Sequence, residues 1–261
     1  MDMSSSRQAA IAAVRARIAA LETPGAPRSA AAVLAFGDAR VDASLPGGGL
    51  GPGRWHEFAG EGLELETAAA VAAFVARLAA PLAARGEMVW VMRRDDLHAP
   101  GLTGIGFAAE RLIQVCAPGE AEALAVLEDA LRTPGVAAAF GEVEAVDLTA
   151  GRRLQLACEQ GAATGFILRR RPFGGEPRKT CAGSAAATRW GIAPCPSEPA
   201  PGEPGLGRPR WIARLERCRG GRTGAWIMEA SEEVDAAHPF RVVAELADRG
   251  LATPAPLRRA G

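Results

Sequence analysis

Apolar residues recur along this chain with two alternating periods. Near the amino end Ile11, Val14, Ile18 and Leu21 are spaced three, four and three apart with arginines between them, which predicts an amphipathic helix over Ser6–Glu22. The run Thr23–Ser29, with two prolines and a glycine, separates that helix from the rest of the chain. Short apolar runs suited to strands then come at Trp55–Ala59, Met88–Met92, Leu112–Cys116, Val136–Phe140 and Thr164–Leu168. Helical patterns over Thr67–Ala84, Ala121–Thr133 and Thr149–Gln160 alternate with them, and Asp95–Gly106 reads as loop and turn. Strands alternating with helices of this length predict βαβ units, and hence an α/β fold whose mostly parallel sheet is covered on both faces. Three further strand-like pieces, Thr188–Pro194, Arg210–Cys218 and Arg222–Glu229, are joined by the Pro/Gly-rich stretch Glu198–Pro209 and by a Gly-Gly turn, which predicts an antiparallel extension of the sheet. The chain thus divides into a helix and linker over 1–29, a core over 30–230 and an extension over 231–261, whose tail Ala252–Gly261 is expected to be flexible.

Composition narrows the class without deciding it. With 261 residues, 48% of them hydrophobic, the chain can bury one moderate core. Thirty basic and thirty acidic residues cancel, so no global field favours nucleic acid or an anionic membrane, and any such contact is a local patch. The five cysteines, 116, 158, 181, 195 and 218, form no C-x-x-C pair, and with no signal-peptide pattern they predict reduced thiols in a cytoplasm. No apolar run reaches the roughly 18 residues of a membrane helix, so no membrane partner is expected. His56, His98 and His238 lie far apart with no metal-ligand spacing, and no metal or other cofactor is expected.

The stretch Leu45–Thr67, LPGGGLGPGRWHEFAGEGLELET, has the layout of a nucleotide-binding strand and loop with altered chemistry. A phosphate loop reads G-x-x-x-x-G-K-[ST]: backbone N–H groups surround the phosphates, the lysine neutralises charge and the hydroxyl holds Mg²⁺. Here the frame runs Gly60 to Thr67, with Leu65 at the second glycine and Glu66 at the lysine. Glu61, Glu64 and Glu66 are then expected to face, and repel, a polyphosphate.

The ordered motifs GDARVDASLPGGGLGPGRWHEFAG, VMRRDDLHAPGL, EALAVLEDALRTPGVAAAFGEV, DLTAGRRLQLACE, SAAATRW and PRWIARLERCRGGRTGAWIMEA resemble the RecA superfamily core and, within it, the ImuA family of bacterial damage-inducible mutagenesis proteins, over roughly residues 30–230. The resemblance implies a RecA-like core with an N-terminal helical arm and a role as accessory factor in translesion DNA synthesis. It implies as partners an ImuB-type Y-family polymerase homologue and an error-prone C-family DNA polymerase, with RecA, single-stranded DNA and self-association as further expectations. An active RecA-like DNA-dependent ATPase or DNA-binding protein, and an inhibitor of assembly similar to the cell-division inhibitor SulA, are the alternative classes.

Carried over position by position, the resemblance places the phosphate-loop lysine on Glu66 and the Mg²⁺ hydroxyl on Thr67. The water-orienting carboxylate falls on Asp95 or Asp96, and the metal-binding aspartate after Val136–Phe140 falls on Gly141, with Glu142 next. The γ-phosphate sensor falls on Arg169 or Arg170, and Arg217 and Arg219 match cations that reach a neighbouring subunit's nucleotide. Phosphoryl transfer needs lysine, metal carboxylate and water-orienting group together, and two of the three are missing, so no catalytic residue is assigned.

The segment Arg169–Thr180 lies where RecA relatives carry a mobile DNA-binding loop. It combines Arg169, Arg170, Arg171, Arg178 and Lys179 with Phe173, which could stack on a base. The apolar stripe Ile11, Val14, Ile18 and Leu21 and the pair Arg217 and Arg219 are the candidate interface residues. Trp190, Trp211 and Trp226 are expected to pack the sheet.

Overall fold

The computed structural model describes residues 33–173, 184–199, 202, 204–231 and 238–246. The expected helix over Ser6–Glu22, the linker after it, the tail from Ala252, and Arg178 and Lys179 lie outside them.

Strands β1 (Trp55–Gly60), β2 (Glu87–Met92), β3 (Leu112–Cys116), β4 (Val136–Val143), β5 (Thr164–Arg169), β6 (Thr188–Cys195), β7 (Arg210–Cys218), β8 (Gly224–Ala230) and β9 (Phe240–Glu245) form one nine-stranded sheet in the order β3-β2-β4-β5-β1-β6-β7-β8-β9. Pairings from β3 across to β6 are parallel, and those from β6 to β9 are antiparallel. The helices are α1 (Ala39–Asp42), α2 (Glu64–Ala79), α3 (Ala99–Thr103), α4 (Glu120–Arg132) and α5 (Leu148–Gly161). This is the α/β architecture expected of a RecA-like core, with the antiparallel extension at its carboxyl end.

Central strands such as EMVWVM are apolar without alternation because both of their faces are covered. On one face α2 packs through Val71, Phe74, Val75 and Leu78. Beneath it an aromatic row runs from strand to strand: Trp90 stacks on Phe140 at 4.6 Å, Phe140 on Phe166 at 5.0 Å, and Phe58 lies 6.1 Å from Phe166 and 6.3 Å from Trp190. Trp190, Trp211 and Trp226 are buried on this face. On the other face α4 and α5 bury Leu127, Leu131, Leu154 and Cys158 against Trp55, Val91 and Ile167.

Several boundaries differ from the sequence pattern. The helix expected from Thr67 begins at Glu64, where Glu64 and Glu66 put negative charge at its positive end. With the 3₁₀ turn at its carboxyl end, Glu64–Arg85 is long and apolar enough to cross a membrane by length and composition alone, yet 61% of its most apolar 18-residue window is buried within the fold, as in the core helix of a folded domain. Strand β4 continues past Phe140 to Val143, so Gly141 and Glu142 lie inside it. A short helix, α3, forms within the stretch read as loop and turn. Strand β9 was hidden in the carboxyl extension. It is fixed to the core by Arg77 of α2, which donates to Pro239 O at 2.6 Å and Ser231 O at 2.7 Å, and by Arg40, which donates to Val242 O at 2.7 Å.

Candidate functional site

The carboxyl ends of β1, β2, β4 and β5 meet where open α/β sheets bind ligands. Between β1 and α2 only Glu61, Gly62 and Leu63 intervene, so residues a phosphate loop would use to wrap an anion are already the first turn of a helix. Gly60 is required by closeness: a Cβ there would collide with Thr67 Oγ1. The Thr67 hydroxyl donates to Leu63 O at 3.0 Å, which ties it to its own turn. The three carboxylates expected to face one phosphate diverge. Glu66 is exposed, Glu61 accepts from Arg214 Nε at 3.0 Å, and Glu64 turns to Arg170. Large apolar side chains stand here instead, with Leu63 68% and Leu65 96% exposed.

Arg170 occupies the centre of the site. Its Nε donates to Glu64 Oε1 at 2.8 Å, its two terminal nitrogens donate to the two Asp96 oxygens at 3.0 Å each, and one of them also reaches Glu142 Oε2 at 2.7 Å. Glu142 Oε1 accepts from Trp90 Nε1 at 2.9 Å. Burial opposes the Arg170 charge, but the bonds to Asp96 and Glu64 and the charge of Glu142 outweigh it and hold the guanidinium above its ordinary pKa. Burial pushes the Glu142 carboxyl up while Arg170 pulls it back. The two tendencies conflict within one pair, and the geometry favours the ion pair, because both Glu142 oxygens face groups that can only donate.

Gly141, at the expected metal-carboxylate position, is a packing residue: a Cβ there would lie 2.7 Å from Leu127 Cδ2. Glu142 is the residue directed into the site, together with Asp96, whereas Asp95 is exposed outside it.

Two expected nucleic-acid contacts are turned inward. Arg170 is bound to its three carboxylates, and Arg169, on the opposite face of the sheet, donates to Glu144 O at 3.0 Å and to Glu57 Oε1 at 3.5 Å. The backbone N–H of Arg171 donates to Glu64 Oε2 at 3.2 Å. Phe173 alone among these is largely open, at 64% exposure, with the Arg93 guanidinium 5.2 Å from its ring centre. Arg217 donates to Ser184 O at 2.6 Å and Arg219 is exposed, both near the amino end of β6, away from the Arg170 site.

Glu57 was missed in the sequence. Buried in β1, it accepts from Ser184 Oγ at 3.0 Å and Arg189 at 3.4 Å besides Arg169, so one carboxylate holds groups on both sides of residues 174–183. A carboxylate in the apolar run WHEFAG was its only signal. His56, its neighbour, lies 2.9 Å from Thr188 Oγ1 through Nδ1. Its Nε2 is buried beside the Gly51 backbone without a well-formed bond, and burial pushes the imidazole pKa down to about 3. Among the described residues no group of three or more His, Cys, Asp or Glu is arranged to hold a metal ion.

Protein ImuA from two strains of Caulobacter vibrioides is 56% identical to this chain over 240 residues, covering 90% of the chain and 98% of the relative in each case. The chain belongs to the ImuA family. No protein-family model matches it. Among solved structures, SulA from Pseudomonas aeruginosa is similar with 21% identity and a TM-score of 0.40, covering 45% of this chain and 98% of that one. In this ImuA-family chain a short connection joins β1 to α2, and an arginine held by three carboxylates lies at the carboxyl ends of the strands.

Proposed function

We propose that this ImuA-family chain is a non-catalytic accessory factor of error-prone translesion DNA synthesis in the damage response. It acts as an adaptor that holds polymerase-complex partners together through a RecA-like fold. The partners are an ImuB-type Y-family polymerase homologue and an error-prone C-family polymerase, with RecA and single-stranded DNA as further contacts. The observation that carries the reading is Arg170: its guanidinium and three carboxylates fill the site where a nucleotide's phosphates and metal would sit. A polyphosphate entering there would meet three acidic groups already sharing one cation, with Glu66 rather than a lysine at the loop position. A fold that keeps its framework without its nucleotide chemistry retains surfaces for assembly.

Reconstitution tests this directly. The purified chain, mixed with the ImuB-type homologue and the C-family polymerase, is expected to form a complex by sedimentation velocity without added nucleotide. Assembly that requires ATP, or no assembly with either protein, contradicts the adaptor. The openness of Phe173 beneath Arg93 favours an additional contact with single-stranded DNA, by stacking of a base on its free face. Phe173→Ala is expected to weaken binding of a fluorescent oligothymidine several-fold, and unchanged anisotropy would remove this contact.

A further inference from the structure

A groove of about 520 Å³ runs along the outer face of α2, beside the Arg170 site. Its floor is the helix itself, where Leu65, Ala69 and Ala72 succeed one another at helical spacing, and Leu97 and Leu102 form the opposite wall. The volume lies within the roughly 300–1,000 Å³ of ligand-binding clefts. From Leu65 to Ala73, the last lining position, the floor extends about 12 Å at 1.5 Å per residue. That is the length over which a partner helix presents anchors at i, i+3 or i+4, and i+7. Leu65, 96% exposed at the mouth, is a large apolar side chain unaccounted for by the packing of the core.

The charges along the groove are asymmetric. Glu64 and Asp96 line one end, but both are bound to Arg170 and offer no free charge to an occupant. Arg94 is exposed on the wall, its guanidinium 3.4 Å from the Pro172 carbonyl, and His98 is exposed beside it. An apolar cleft one helix-face long, whose uncommitted charge is cationic, fits a ligand that is apolar on one side and acidic on the other. A nucleotide fits poorly, because Arg170, the cation deepest in the cleft, is already shared by three carboxylates.

We infer that this groove docks an acidic amphipathic helix of a partner protein, whose apolar side chains lie between α2 and Leu97–Leu102 and whose carboxylates meet Arg94. The inference deepens the adaptor reading, since it gives one surface through which a protein partner is held.

The test uses the full chain and two labelled synthetic helical peptides with identical leucines at i, i+3, i+4 and i+7, one carrying glutamates and the other lysines at the remaining positions. By fluorescence anisotropy the acidic peptide is expected to bind saturably, at least about ten-fold more tightly than the basic one, a difference of about 1.4 kcal/mol. Ala69→Trp, at an exposed helix position, fills the groove and is expected to abolish binding while leaving the thermal unfolding curve in place. Arg94→Glu is expected to reverse the preference. Equal binding of both peptides, binding that Ala69→Trp leaves intact, or no binding of the acidic peptide would overturn the inference. So would self-association of the chain that Ala69→Trp abolishes without any peptide binding, because the occupant would then be a second copy. The adaptor reading fails separately. If the polymerase complex assembles with the Ala69→Trp variant as with the parent chain, the groove assignment falls and the adaptor stands. If the acidic peptide binds but no polymerase partner does, the reverse holds.

Discussion

Replacing Arg170 by methionine removes the cation around which the carboxyl ends of four strands are organised. Four charge-assisted hydrogen bonds, at 2.7 to 3.0 Å, are lost. Their summed strength overstates the effect, because the Asp96 and Glu64 side chains are 32% and 27% exposed and can rehydrate. Glu142 cannot, with its side chain fully buried and only the Trp90 N–H left to it. Breaking a buried pair by removing one partner costs about 3–5 kcal/mol, and that is the loss expected here. Urea unfolding at pH 7.5 measures it. The loss should shrink at pH 6, because a stranded Glu142 has a folded-state pKa raised above its unfolded value and escapes its charge by taking up a proton. Adding Glu142→Gln to Arg170→Met should recover about 2 kcal/mol, the signature of two coupled groups. A single variant within 1 kcal/mol of the parent, or a double variant no more stable than the single, would refute the picture of Arg170 as the organising cation.

Three other outcomes rest on named contacts. Glu66→Lys should leave phosphate release from ATP at background with and without single-stranded DNA, since Glu66 is exposed on the helix and the Thr67 hydroxyl is bonded to Leu63; measurable turnover would contradict this. Gly141→Ala pushes a methyl against Leu127 and should cost about 1–3 kcal/mol in urea unfolding, whereas a neutral result would mean that α4 shifts freely. His56 is held neutral, with a folded pKa of about 3 below its unfolded value, so its stabilising effect is full above pH 6.5 and declines as pH falls below it. Between pH 7.5 and 5.5 the parent chain should lose about 1.4 kcal/mol more than His56→Gln, and parallel pH profiles would place the titration elsewhere.

The alternation of apolar strands and helices was legible from residue 55 to residue 230, because both-faces-buried strands leave continuous runs such as EMVWVM and covering helices leave a 3.6-residue stripe. Strand β9 was not, since FRVVAE is short, charged at two positions and anchored by Arg77 and Arg40 from far away in sequence. The departure from the phosphate-loop pattern could be read from Glu66 and Leu65, but the arrangement around Arg170 could not. Arg169 and Arg170 looked like neighbours in a basic loop. In β5 and just after it they point to opposite faces, one to Glu57 and one to Glu64, Asp96 and Glu142, and only the tertiary structure brings those acids to them. Period two explains the divergence of adjacent side chains; no local pattern announces their partners.

Calorimetric titration of the purified chain with ATP and Mg²⁺, with phosphate release monitored in parallel with and without single-stranded DNA, tests most directly whether the rebuilt site has left nucleotide chemistry behind. No binding heat and no phosphate release are expected under either condition. Micromolar binding with DNA-stimulated release would contradict it, and would mean that Arg170 yields its place to a nucleotide.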